Sequence, residues 1–288
     1  MTELRSVAVL GLGLIGGSLA RDLARRGVRV LGYDANPETV DAALGEGAIH
    51  AAVTAALHEL TEADVVVLAV PVDAAPALLA RARPHVGAAR LITDVGSTKR
   101  TIAARAEALG LGERFVGAHP MAGDHRSGWR ASRRGLFAGA RVYLCPLASA
   151  GAEARAVAHA LWSAVGATPV SIDPAIHDQR VAVASHLPQL LSTVLARVLA
   201  GAGVGRSDLG PAGHDLTRLA GSSPEVWTAI VVDNADAIAA ALRATLDELR
   251  ALSAAVEERD ARAVARFLGE GREWFARNPE GNMPGTST

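Results

Sequence analysis

The stretch SVAVLGLGLIGGSLARDLARRGVRVLGYD, residues 6–34, decides how the chain is read. A short apolar run, 6–10, leads into glycines at 11, 13 and 16, the pattern G-x-G-x-x-G. Leu19 and Leu23, four apart, give the next segment one apolar helical face, and Gly27 stops it. A second β-type run, 28–34, ends on Asp34, 18 residues after Gly16. Glycines between a strand and a helix permit a tight turn, close approach of backbone to a pyrophosphate, and helix–strand packing. The helix N-terminus then offers N–H groups and a favourable dipole to the phosphates. A carboxylate at the tip of the second strand accepts hydrogen bonds from a ribose 2′-hydroxyl and repels a 2′-phosphate. Neither Ala35 nor Asn36 brings a cation to offset that repulsion. These residues predict a dinucleotide site that prefers NAD to NADP, built on Gly11, Gly13, Leu14, Ile15, Gly16 and Asp34.

Strand–helix alternation continues outward from this unit. Helical patterns at 36–47, 98–109 and 152–165 separate β-type runs at 63–71, 89–96, 114–120, 140–146 and 168–172. The pattern predicts an α/β fold, a doubly wound, mostly parallel sheet whose strand ends all deliver loops to one ligand-binding edge. Val70, Pro71, Asp94 and Gly96, on that edge, are expected to join the cofactor site. Beyond residue 173 no further strand is predicted. Residues 177–201 read as a helix kinked at Pro188. Residues 222–260 read as one long helix, striped by Val226, Ile230, Ile238, Leu242, Leu249 and Val256 and suited to a subunit interface. The expected organisation is a dinucleotide-binding domain at 1–172, a helical substrate and dimerisation domain at 173–276, and a disordered polar tail at 277–288.

With 29 basic and 30 acidic residues, the formal charge of −1 gives no electrostatic basis for a nucleic-acid or membrane partner. The single cysteine, Cys145, excludes an internal disulfide framework and a multi-cysteine metal site. The opening MTELRSVAVL lacks a signal-type pattern and no apolar run is expected to span a membrane, so a cytoplasmic protein is expected. No metal is expected from His119, His125, His177 and His186, whose spacings fit no compact ligand set. His50, His58, His85 and His159 are given no role.

Two loops carry candidate chemistry. TDVGSTKR (93–100) places Ser97 as an expected helix N-cap, with Thr98, Lys99 and Arg100 in the first turn. Lys99 is the only lysine in the chain. A cation in a first turn opposes the helix dipole, so helix stability does not explain it. It is expected to support the loop carrying Ser97, or to reach cofactor or substrate. GAHPMAGDHRSGW (117–129) places His119 at a strand end, suited to proton transfer beside a nicotinamide.

These motifs, followed by SHLP (185–188) and DLTRLAGSSPEVW (215–227), occur in an order that resembles the prephenate/arogenate dehydrogenase family over about residues 6–276. The resemblance implies a Rossmann-type domain followed by an all-α dimerisation domain, and a homodimer. It implies NAD(P)-dependent oxidation of a cyclohexadienyl alcohol with loss of CO2, in tyrosine biosynthesis. Prephenate is the expected substrate, with arogenate or dual specificity as the alternative. His119 then accepts the ring hydroxyl's proton and Ser97 orients that hydroxyl. His186 sits beside the side-chain carboxylate, Arg218 binds a substrate carboxylate, and Trp227 lies near the same pocket, from this chain or its partner. Gly123 and His125 belong to the loop around the substrate. His125 stands where many members carry an acidic residue, Gln189 replaces a histidine common after SHLP, and His214 is also a departure. These changes leave the amino-or-keto end of the substrate open. His177 and Asp178 read as a supporting polar network, and Asn234 as a buried interhelical hydrogen bond. A β-hydroxyacid dehydrogenase relative would use a lysine in the helical domain, which has none. A non-catalytic NAD-binding protein is the remaining reading.

Overall fold

Residues 6–10 are buried at every position, as a strand flanked on both sides must be. In the computed structural model, which describes residues 3–123 and 126–278, this strand is β1 (Ser6–Leu10), the centre of a five-stranded parallel sheet. The chain continues through α1 (Leu14–Arg25), β2 (Arg29–Tyr33), α2 (Pro37–Gly45), β3 (Ala51–Ala52), β4 (Val65–Leu68), α3 (Ala75–Ala82) and β5 (Leu91–Asp94). The strand order is β3-β2-β1-β4-β5. Asn36 starts α2 by accepting from the Glu38 amide at 3.0 Å, with Pro37 at the first helical position. Two residues make β3, too few to show a period.

After α4 (Arg100–Ala108) come β6 (Val116–Pro120), β7 (Arg141–Pro146), α5 (Ala152–Ala164) and β8 (Thr168–Ser171). β6 lies beside β5 through a parallel bridge between Ile92 and Phe115. β7 runs antiparallel to β6, and β8 parallel to β7. The expectation that all strand ends share one edge therefore fails for β7 and β8, which end at the opposite edge. A parallel return needs a crossover element, and among the described residues the link between β6 and β7 has only a short turn at Trp129–Ala131. Apolar clusters cover both faces of the sheet. One includes Leu19, Leu23, Phe137 and Trp162; the other includes Leu10, Leu31, Ile102 and Phe115.

The rest of the described chain is helical: α6 (Pro174–Val181), α7 (Leu187–Gly201), α8 (Pro211–Thr217), α9 (Pro224–Asp233), α10 (Ala235–Glu257) and α11 (Ala261–Arg277). The kink expected at Pro188 is a widened π turn at Ala182–His186, just before the residue that lacks an N–H. The expected unbroken helix over 222–260 is interrupted at Asn234, whose φ of −109° and ψ of 29° leave helical geometry. Its side chain is instead committed to neighbouring elements, as described below. Asp260 ends the run and starts α11 by accepting from the amides of Arg262 and Ala263. Arg277, placed by the sequence in a disordered tail, closes α11; residues 279–288 lie outside the described residues.

The continuous helical stretch Pro174–Gly201 is long and apolar enough, by length and composition, to cross a membrane, which the sequence reading did not expect. It nevertheless carries buried His177, Asp178, His186 and Gln189. Each of these is bonded to another part of the protein, so one side of the stretch packs inside the fold while Val183, Val194 and Val198 stay exposed.

Candidate active site

The glycine loop follows its expected logic. Gly11 has φ of +102°, and a side chain there would drive into the Ala69 carbonyl. A side chain at Gly16 would collide with the Gly11 carbonyl, whereas at Gly13 nothing lies within 4 Å. Two glycines thus serve the fold, and the third leaves space in front of the uncapped N-terminus of α1. Asp34 accepts from the Leu12 amide at 2.8 Å and the Asn36 amide at 2.9 Å. Each carboxylate oxygen keeps acceptor capacity for a ribose hydroxyl, so these residues fit a nicotinamide dinucleotide.

A cleft of about 290 Å³ opens beside this loop. Gly13, Leu14, Ile15, Val70, Pro71, Gly96 and Ser97 line one side. Ser222, Val226, Trp227 and Ile230 from the helical part face them, with Arg126, Ser127 and Gly128 also in the lining. Trp227 therefore comes to the cleft within this one chain.

Ser97 is not a helix cap. α4 begins at Arg100, and the amides of Lys99 and Arg100 donate at 2.8 and 2.9 Å to the carboxylate of Asp178, on α6. The cap of a sheet-domain helix thus comes from the helical domain. Asp94 is not in the cleft lining either. It is buried, accepts from the Gly96 amide at 2.9 Å, and is ion-paired with the Lys99 ammonium. Burial pushes its carboxyl upward while Lys99 pulls it back. It holds the turn at 95–98 from inside the protein, away from the cleft lining. Lys99 is fully buried, and its ammonium also donates to the Ala118 carbonyl at 2.8 Å.

His119 lies on β6, opposite Tyr143. Its Nδ1 is 2.9 Å from Nε2 of His177, whose Nδ1 is 2.8 Å from Oδ1 of Asp178. A carboxylate only accepts, so His177 Nδ1 carries a proton; in the neutral imidazole its Nε2 is then an acceptor. With His177 a neutral imidazole, His119 Nδ1 is the donor and His119 Nε2 keeps its lone pair. Burial drives the His119 pKa well below the ordinary value, helped by the charges that His177, Lys99 and His186 would bear. Burial alone would raise the Asp178 carboxyl, but the His177 imidazole and the Arg100 and Lys99 amides hold it below the usual range.

His186 is buried, 5.9 Å from the Trp227 ring, edge to face. Asn234 Nδ2 donates to the Asp178 carbonyl at 2.8 Å and approaches His186 Nδ1 at 3.3 Å. His186 Nδ1 is then an acceptor, so its Nε2 carries a proton, and that buried donor has no acceptor. Burial lowers its pKa to about 4, against the pull of Asp178.

Other expected site residues are not brought together. Arg218 is exposed on a short turn, Arg218–Gly221, outside the cleft lining. Gln189 does not face the cleft: its Nε2 donates to the Leu219 carbonyl at 2.7 Å, and its Oε1 accepts from Ser222 Oγ at 3.3 Å. It pins the turn that carries Arg218. Gly123 and His214 are exposed, and His125 lies outside the described residues. The reading from residues underrated His177 and Asp178 and missed Arg126 and Ser222. The available signal was an adjacent His–Asp pair at the start of a helical run that turns apolar after Arg180.

His119 itself is buried and lies outside the cleft lining. A buried imidazole tied to the helical domain through His177, in a chain whose glycine loop fits a dinucleotide, points to a class, the two-domain nicotinamide-dependent oxidoreductases. Known proteins narrow it further. The model of the prephenate dehydrogenase nucleotide-binding domain matches residues 19–171, and that of the prephenate dehydrogenase dimerization domain matches residues 173–270. The chain belongs to the prephenate dehydrogenase family. It is 32% identical over 287 residues to a prephenate dehydrogenase of Bacillus subtilis, covering 95% of this chain and 76% of that protein. The structure of Aquifex aeolicus prephenate dehydrogenase with hydroxyphenyl propionate and NAD+ matches with a TM-score of 0.88 at 28% identity, covering 96% of this chain and 99% of that one. Synechocystis arogenate dehydrogenase matches with a TM-score of 0.81 at 29% identity, covering 95% and 100%.

Proposed function

We propose that the protein oxidises and decarboxylates prephenate with NAD, giving 4-hydroxyphenylpyruvate in tyrosine biosynthesis. The observation that carries this reading is the chain of contacts from Asp178 through His177 to His119, whose burial keeps it neutral; with His177 neutral as well, His119 Nε2 keeps its lone pair. NAD, when bound, supplies the hydride acceptor. His119 Nε2 takes the carbinol proton as the carbinol C–H electrons depart. The ring–carboxylate bond then breaks, CO2 leaves, and its electron pair completes the aromatic ring. The new phenolic oxygen regains the proton from His119, so the protein ends unchanged. Behind His119, the Asp178–His177 pair stabilises the transient imidazolium.

Ser97, in the cleft lining, orients the substrate hydroxyl. The orphaned N–H of His186 is met by a substrate carboxylate. Arg218 is assigned the second carboxylate on the strength of the family resemblance, and Gly123 and His125 the substrate loop. The cofactor residues are those of the glycine loop together with Asp34, Val70, Pro71 and Gly96. The division at residues 172 and 173 separates the cofactor domain from the helical one. We also propose a cytoplasmic homodimer joined through the helical domain. Its support is the apolar surface left exposed by Val194 and Val198 on α7, Leu246 and Leu249 on α10, and Trp274 and Phe275 on α11.

The test is NADH or NADPH formation with prephenate and with arogenate, each with NAD and NADP. Prephenate with NAD should give the highest kcat/KM, and failure of both substrates would overturn the reading. His119→Asn should lower kcat about 10²- to 10⁴-fold with NAD affinity unchanged. A wild-type kcat in that variant would remove His119 from the role.

A further inference from the structure

We infer that Lys99 is a positioning residue for His119, closing a hydrogen-bonded circuit that runs through both domains. Its backbone amide donates to Asp178 Oδ1 at 2.8 Å, the oxygen that also accepts from His177 Nδ1 at 2.8 Å. His177 Nε2 accepts from His119 Nδ1 at 2.9 Å. The residue before His119 is Ala118, whose carbonyl accepts from the Lys99 ammonium at 2.8 Å. One residue therefore grips the relay at its carboxylate end and at the peptide that carries its imidazole. The same ammonium holds Asp94, which shapes the turn bearing Gly96 and Ser97.

Stability does not account for this lysine. A buried ion pair roughly breaks even against apolar replacements of similar volume, so its presence points to a geometric task. Nor does an arginine fit. A side chain at Gly117 would already lie 3.1 Å from Lys99 Cδ and 3.2 Å from Asp94 Oδ1, so the pocket has no slack for a planar fork. The remaining 28 basic residues are arginine, and the exception falls where a compact ammonium with a flexible stem is required.

The inference rests on His119 as the proton acceptor, so its test needs two readouts. The variants are Lys99→Met, Lys99→Arg and the double variant D94N/K99M, which removes the buried charges as a pair and keeps the test usable if Lys99→Met alone does not fold. In steady-state assays with prephenate and NAD, the double variant should melt near wild type. It should nevertheless lose about tenfold to a hundredfold in kcat, with KM for NAD within about twofold. Lys99→Arg should lose kcat in the same range. Independently of turnover, ¹⁵N NMR of His119 in the free protein should show one Nδ1-protonated tautomer in wild type and a mixture in the double variant. His177, His186 and Tyr143 face His119 and are unchanged in every variant; Lys99, whose charge also acts on His119, is the group that the variants alter.

Recovery of kcat together with melting temperature in the double variant would show a merely structural lysine and overturn the inference. A wild-type kcat in Lys99→Arg would do the same, as would an unchanged His119 tautomer in the double variant. If the wild-type protein turns over neither substrate, the functional reading fails, and the NMR comparison still decides the circuit.

Discussion

The two halves of the chain treat their apolar side chains differently. Up to residue 172 the large ones go inward: Leu10, Leu19, Phe115, Phe137 and Trp162 have no exposed surface. In the helical half, buried apolar residues among those described are few, namely Val181, Ala182, Ile230, Ile238 and Ala241. Val198, Leu249, Leu268, Trp274 and Phe275 are each more than half exposed. The sheet domain closes its own core between two layers of helices. The helical domain buries few large side chains; His177, Asp178 and Asn234 are buried where it meets the sheet domain, and His186, Gln189, Ser192 and Thr217 within it. It buries several polar side chains and leaves large apolar ones exposed, which is the arrangement of a module completed by other surfaces.

The sharpest way to break this contrast is a matched pair of substitutions. Phe115→Ala should cost about 3–5 kcal/mol at any protein concentration, as a cavity in a sealed core does. Leu249→Asp, on the open half, should leave the monomer's helicity intact, turn the proposed dimer into monomer in analytical ultracentrifugation, and make the loss in Tm depend on protein concentration. If Leu249→Asp is silent in both measurements, the open face is ordinary surface and the contrast falls.

A somewhat smaller effect comes from acid. An unfolded chain protonates its imidazoles near pH 6.5, whereas folded His186 protonates near 4 and folded His119 also titrates well below normal. Between those values the unfolded chain binds more protons, so stability falls as pH drops. The loss from His186 should approach about 3 kcal/mol near pH 4. Melting curves across this range should show it, and His186→Gln should flatten the slope. An acid slope unchanged in that variant would place the sensitivity elsewhere. The smallest effect concerns the joint itself. The Arg100 side chain, 42% exposed, bonds Asp178 at 3.4 Å and Asn234 at 3.2 Å. Arg100→Ala should cost less than about 1 kcal/mol in chemical denaturation, because a solvated pair contributes little. A loss of several kcal/mol would make this contact, rather than the Asp178 cap, the main tie between the domains.

The sheet domain was the more legible half. Glycine spacing, helix caps and β-type runs act locally, so β1, α1 and β2 could be read from residues 6–34. The reversal of β7 could not, because strand direction depends on whether the connecting loop crosses over. The break at Asn234 was invisible for a different reason. Ile230 and Ile238 stand eight apart, so the apolar stripe stays in phase across the interruption. At the site, the motif residues pointed to the cleft side of the fold. Asp94 was misassigned because its partner Lys99 lies on the next turn of chain, inside the protein. The His119–His177–Asp178 relay joins residues far apart in sequence, and no local pattern encodes that.

The burial of Lys99 has a practical consequence. A lysine-specific protease finds one cleavable bond in the whole chain, Lys99–Arg100, and that lysine has no exposed surface in the native protein. The folded enzyme should therefore resist such a protease, and each cut should mark a molecule that has opened at the junction of its two domains. The kinetics of a single cleavage into two fragments would count those openings directly.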